Sequence, residues 1–322
     1  MKQNRGAAVC AALLCLLSGC AGSTGYAQQN TVALVVKSTE TEFWLSVFAG
    51  AEAAATEYNL TLTITGPDAE EDYETQNQMV DEAVRAGAQA IVFFAIDYEN
   101  NAAAIDAAAK AGVKIVAIDS NVASDAVSTY IGTDNYAAGQ MAAQAALDRV
   151  DGMLRVGIVN YDINSANGQE REQGARDLLE ASGRAEIVSV FNTLSEAGDS
   201  KVDTATLLRE HPEINVLIAF NEPTSVGASR AVEQMGLEDG VFLVGFDSNV
   251  ATVDALQEGS VDALIVQNPY AMGYLGVESA YRLLSGQSGD VERIVDTSTQ
   301  TVDRENLFEV DSQKVLFAFD SR

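Results

Sequence analysis

Short, continuously apolar runs punctuate this chain, and Ala-rich helical stretches separate them. That alternation is what most restricts its fold. The runs fall at 32–36, 60–64, 91–94, 114–118, 156–159, 186–191, 216–220, 241–246 and 263–266. Most are hydrophobic at every position rather than at every second one, which marks strands covered on both faces, as in parallel sheets. Between them lie segments rich in Ala, Leu, Glu and Gln, at 43–58, 73–86, 101–111, 135–150, 169–181, 202–210, 224–235, 250–258 and 270–284, which read as helices. Gly87, Gly112 and Gly236 follow three of them, where a left-handed cap ends a helix. Pro223 stands where a first helical turn tolerates proline. A repeated βα unit of this kind predicts an α/β fold built on doubly wound, mainly parallel sheets.

The pattern occurs twice. Residues 112–121, GVKIVAIDSN, resemble residues 240–249, GVFLVGFDSN, and one strand earlier 91–95 corresponds to 216–219. Two similar lobes explain this echo. About 290 residues beyond the leader are also more than one small core requires.

The leader sets the compartment. Lys2 and Arg5 precede an uninterrupted apolar run from Ala7 to Leu17, too short to span a bilayer and right for a signal peptide. It closes on Leu17-Ser18-Gly19-Cys20, which resembles a bacterial lipobox, so residues 1–20 are expected to be a lipoprotein signal with Cys20 lipidated. Residues 21–30 read as a flexible tether. Cys10, Cys15 and Cys20 are the only cysteines, so the mature body can form no disulfide and no thiolate metal site. The expected location is extracytoplasmic, on the bacterial cell membrane, with a soluble monomeric body held by its anchor alone.

The net charge is −28. So acidic a surface repels nucleic acid and anionic headgroups, which excludes nucleic acid as a partner. Its simplest meaning is solubility.

In open α/β sheets ligands sit beyond the carboxyl ends of the strands. Here those ends carry Lys37–Glu42 followed by Phe43 and Trp44, then Asp119, Asn221 with Glu222, Asp247 and Gln267. Carboxylates and amides accept and donate hydrogen bonds, and adjacent aromatics offer flat faces to a ring. Each residue also has an ordinary use: Asp and Asn after strands cap helices, and Phe43 and Trp44 suit a helix–sheet core. An enzyme is poorly supported. The lone His211 precedes Pro212 at a helix end, and neither a phosphate-binding loop nor a Gly-x-Gly-x-x-Gly turn is present. No cofactor is expected.

From about Thr31 to Val302 the chain resembles the type I periplasmic binding proteins, most closely the ribose-binding group. The resemblance rests on ordered signals. They are 33–36 followed by Phe43-Trp44, then Asp119, 131–135 with Gly139, Arg171 with Gly174, 220–222, 244–247 and Val266-Gln267. It implies two Rossmann-like lobes joined by three crossovers, with lobe 1 at 31–132 plus 268–296 and lobe 2 at 133–267 plus 297–322. It also implies a sugar gripped between them by Phe43, Trp44, Asp119, Asn221, Asp247 and Gln267, with Thr41 and Glu222 beside them. Three departures matter. Ser120 and Gln169 stand where ribose binders carry arginines, and Ala95 replaces an asparagine, with Asp97 close by. Arg171 is read as structural. On that reading Asp119 and Asp247 lack balancing arginines, so the ligand is expected to be a neutral sugar or polyol, or a cationic solute, and not an acid. The partner is expected to be an ABC transporter permease, with a membrane histidine kinase or chemoreceptor as the alternative. The tail beyond 302 is expected to add a strand to lobe 2 through 307–308 and 315–319.

Overall fold

The computed structural model describes residues 30–316. The leader, Cys20, the tether and residues 317–322 lie outside the described residues.

The order is β1(Thr31–Val35), α1(Glu42–Glu57), β2(Thr61–Thr65), α2(Tyr73–Arg85), β3(Ala90–Phe93), α3(Ala102–Lys110), β4(Lys114–Ile118) and β5(Val127–Gly132). It continues with α4(Asn135–Arg149), β6(Leu154–Asn160), α5(Ala166–Ser182), β7(Ala185–Asn192), α6(Ala197–Glu210), β8(Val216–Ala219), α7(Glu222–Met235), β9(Phe242–Phe246), α8(Val250–Glu258) and β10(Ala263–Val266). Then come α9(Pro269–Leu284), β11(Ile294–Asp296), β12(Gln300–Asp303) and α10(Val310–Leu316).

Two six-stranded sheets result, in the orders β11-β5-β4-β3-β1-β2 and β12-β10-β9-β8-β6-β7. All pairings are parallel except β10 with β12. The chain passes between the sheets after β5, after β10 and after β11.

The continuous apolar runs are explained by burial on both faces. Val32, Leu34 and Val36 pack with Trp44, Val47 and Met272 under α1 and α9. Ala33 and Val35 face the other way, against Val80 and Ile105 of α2 and α3. In the second sheet Val216 and Ile218 join one core and Leu217 and Ala219 the other. The internal echo is architectural, since β4 and β9 hold the same place in their sheets.

Two close helix crossings fix the frame. A Cβ at Gly139 of α4 would fall 2.0 Å from the Arg171 carbonyl oxygen, and one at Gly174 of α5 would fall 2.0 Å from that of Tyr136. Gly50 and Gly273 serve α1 and α9 in the same way.

Some boundaries move. β5 escapes an apolar scan because Ser128 and Thr129 interrupt it. α5 and α6 start at Ala166 and Ala197, earlier than expected, since their first turns carry Asn, Gly, Asp and Ser, weak helix formers on propensity alone. The tail is a correction. The extra strand is Gln300–Asp303, already paired with β10, and Val310–Leu316 forms a helix. Leu307 and Leu316 are buried, Val315 packs against the same core, and Phe308 is exposed.

Candidate functional site

The carboxyl ends of the two sheets face one cavity. Its wall holds Thr41, Phe43, Trp44, Asp119, Asn221, Glu222, Asp247 and Gln267, all singled out in the sequence. It also holds Lys37, the first residue of the 37–42 strand-end segment, together with Glu70, Tyr161, Asn167, Arg171 and Pro223, which the sequence pattern did not place there.

Each lobe sends in one strand-end aspartate. Asp119 follows β4 and Asp247 follows β9, and both take left-handed backbone conformations, with φ of 57° and 69°. Asp tolerates this region better than most residues, and such geometry collects at functional sites. Neither aspartate caps a helix. Asn249 caps α8 in place of Asp247, its Oδ1 accepting from Thr252 N at 2.7 Å. Asn221 does both jobs: it lines the cavity while its Oδ1 accepts from Thr224 N at 3.0 Å, closing a capping box on α7.

Trp44 also does both. It belongs to the core, edge-on to Phe43 and Phe94 at 5.2 and 4.7 Å, and forms part of the wall.

Two cations balance the acids, which corrects the expectation that Asp119 and Asp247 stand uncompensated. Arg171 is buried, with a terminal nitrogen 3.9 Å from Asp119. It donates to Asn135 Oδ1 at 2.9 Å, to the Phe220 carbonyl at 2.6 Å and to Gln267 Oε1 at 2.7 Å, and lies over the Phe246 ring at 4.7 Å. Its role is thus structural and local to the site at once. Lys37 Nζ donates to Ser165 Oγ at 2.7 Å and to Asn167 Oδ1 at 3.3 Å. Asn167 Nδ2 donates to Asp119 Oδ2 at 2.7 Å, and Gln267 Nε2 to Asp247 Oδ1 at 2.7 Å.

Burial dominates the titration of these groups. It pushes the Asp247 carboxyl up to about 7, against the pull of Arg171 and of the Gln267 hydrogen bond. It raises Asp119 against Lys37 and Arg171, Glu70 chiefly against Lys37, and Glu222 chiefly against its bonds from Asn249 and Phe43. It lowers the Lys37 ammonium, with Asp119 and Glu70 opposing.

Three candidates stand elsewhere. Asp97 is buried but turned to its own loop, accepting from Glu99 N, Asn100 N and Asn100 Nδ2. Ser120 is buried outside the cavity wall, its Oγ without a partner. Gln169 is exposed on α5. Ser120 and Gln169 occupy the positions where ribose binders carry arginines, and Asp97 lies two residues beyond Ala95, yet none of the three lines the cavity. Lys37, Tyr161 and Glu70 were legible: each lies just beyond a strand's carboxyl end, the rule that found the aspartates. Asn167 and Arg171 are the second and sixth residues of α5, where strand ends give no signal.

The lobes meet around this cavity. Phe43 N donates to Glu222 Oε2 at 2.9 Å, Val250 N to Glu42 Oε2 at 3.1 Å, and Tyr98 N to the Asn164 carbonyl at 3.0 Å. The structure is therefore a closed form.

A family model described as a periplasmic binding protein domain matches residues 32–288. The D-ribose/D-allose-binding protein of Pseudomonas aeruginosa is 28% identical over 285 residues, covering 85% of this chain and 89% of its own. A solved ABC transporter solute-binding protein from Agrobacterium vitis, with bound D-fucose, superposes with a TM-score of 0.86 at 30% identity, over 89% of this chain and 100% of that one. A carbohydrate transporter solute-binding protein from Agrobacterium radiobacter, in complex with D-arabinose, gives a TM-score of 0.87 at 27% identity, over 90% and 99%. These relatives are substrate-binding transport proteins rather than enzymes.

Proposed function

This chain belongs to the type I periplasmic binding proteins, in the ribose-binding-like group, and from that premise we propose that it is a lipid-anchored component that captures a neutral sugar or polyol for import. The family is extracytoplasmic and its members bind rather than transform their ligands. In this reading the lobes are 31–132 with 268–296 and 133–267 with 297–322, and Cys20 carries the anchor. Closure about the three crossovers traps one small solute, delivered to an ABC permease.

One observation carries the ligand class. The unspent hydrogen-bonding capacity at the heart of the cleft is acceptor capacity. Asp119 uses Oδ2 on Asn167 and Asp247 uses Oδ1 on Gln267, which leaves one carboxylate oxygen on each lobe for a hydroxyl to donate to. Lys37 and Arg171 spend most of their donors on protein. Four carboxyl groups, Glu70, Asp119, Glu222 and Asp247, line the cavity together with these two cations. A donor-rich solute without an acid group fits, and an amino sugar is the charged variant of the same class. The sequence expectation of a non-acidic ligand thus rests on new grounds, since Ser120 and Gln169 no longer carry it.

A thermal-shift panel of neutral sugars, polyols, amino sugars and uronic acids tests this. Neutral or amino members should raise Tm. Stabilisation by uronic acids alone refutes the charge argument. Loss of lipid from the mature chain in Cys20→Ser checks the anchor, and crosslinking on intact membranes separates a permease partner from a kinase or chemoreceptor.

A further inference from the structure

One line of hydrogen bonds crosses the cleft and begins on the indole. Trp44 Nε1 donates to Glu70 Oε1 at 2.9 Å. The other oxygen of that carboxyl, Oε2, accepts from Ser195 Oγ at 2.6 Å. Ser195 Oγ accepts in turn from Asn221 Nδ2 at 2.7 Å. Trp44 and Glu70 belong to the lobe of β1, Ser195 and Asn221 to the lobe of β6. Three hydrogen bonds therefore join the indole of one lobe to the Asn221 amide of the other, and one of them, Ser195 to Glu70, crosses between the lobes.

The indole N–H is the only polar group of a tryptophan, so its partner fixes the ring's rotation among choices that packing against Phe43 and Phe94 leaves open. Glu70 sits on the loop between β2 and α2, next to Glu71, whose Oε1 accepts from Ser195 N at 2.7 Å. The Ser195 bonds to Glu70 and Glu71 can form only when the lobes meet. Bonds to a carboxylate are short and strong, and stronger still where water is displaced.

We propose that Glu70 is a positioning residue that couples the orientation of Trp44 to closure of the lobes, with Ser195 as its contact on the opposite lobe. This rests on the reading that Trp44 forms a wall of the sugar site. Closing onto Ser195 locks the indole in the attitude that Glu70 selects, and reopening breaks both together. The coupling thus acts after encounter, on release rather than on capture.

The test uses the full mature chain and four probes, D-ribose, D-allose, D-arabinose and D-fucose, taking the one that raises Tm most. Stopped-flow gives its association and dissociation rates for the wild type, Glu70→Ala, Glu70→Gln, Ser195→Ala and the double variant with both alanines. Each alanine should raise the dissociation rate about tenfold and leave association within about twofold. The double variant should lose little more than either single one, because both break one line. Glu70→Gln keeps an acceptor for the indole and should recover part of the loss. Trp44 is the only tryptophan in the chain, so one indole N–H resonance reports its setting directly. That resonance should move in Glu70→Ala and, in the same direction, in Ser195→Ala. Additive losses in the double variant, or effects confined to association, overturn the coupling. If none of the four sugars raises Tm or moves the indole resonance, the sugar reading fails. The coupling is then decided in the ligand-free chain: a resonance moved by Ser195→Ala upholds it, and one left in place overturns it.

Discussion

Replacing Arg171 tests the electrostatics of the cleft most sharply. The guanidinium is buried and satisfies three acceptors, on Asn135, Phe220 and Gln267. It also stands 3.9 Å from Asp119 and holds the Asp247 carboxyl down against its burial. Arg171→Met keeps much of the volume but orphans the acceptors and strips the aspartates of a cation. Breaking a buried pair from one side typically costs about 3–5 kcal/mol. At roughly 2–4 °C per kcal/mol for a chain of this size class, the expected fall in Tm is about 6–20 °C. Arg171→Lys retains the charge but not the planar fork, and should recover only part of this. The cost should also depend on pH with a definite sign. Without the cation the Asp119 and Asp247 carboxyls rise further, so they take up protons sooner as pH falls, and the uncompensated charge disappears. The Met variant should therefore lose less at pH 6 than at pH 8, by scanning calorimetry of the ligand-free protein. An equal loss at both values, or a loss under about 1 kcal/mol, would show that Arg171 neither supports the cleft nor governs its charge.

Other outcomes follow from the same geometry. Asp247 titrates near 7 in the folded chain, above its ordinary value of 3.8, so its share of stability is complete below about pH 4 and is lost as pH rises through 7. Tm of the ligand-free protein should accordingly fall from pH 6 to pH 8, and Asp247→Asn, which keeps an αL-tolerant residue, should flatten that slope in a pH series. Trp44→Ala should weaken the best sugar of the panel by roughly 1–3 kcal/mol in titration calorimetry, and an unchanged Kd would remove Trp44 from the site. Gly139→Ala must separate α4 from α5, because its Cβ would fall 2.0 Å from the Arg171 carbonyl oxygen. Overpacking of this kind should cost about 1–3 kcal/mol in denaturant unfolding.

The sequence alone determined the fold class and the places where chemistry gathers. Strands such as 32–36 and 216–220 are apolar at every position, and that pattern is stable only between two helical layers. The echo around Asp119 and Asp247 carried the two-lobed plan, because each aspartate ends the same strand of its own sheet. What the sequence could not carry was distance. Glu70 and Ser195 are 125 positions apart, and Lys37 and Ser165 are 128 apart, so their meeting depends on how the lobes close. Charge balance was hidden for the same reason. Ser120 and Gln169 suggested missing cations, while Arg171 and Lys37 supplied them from α5 and from the end of β1. Secondary structure follows local periodicity, which a linear reading sees. The partners of a buried charge are chosen by packing across the cleft, and only the tertiary structure brings them together.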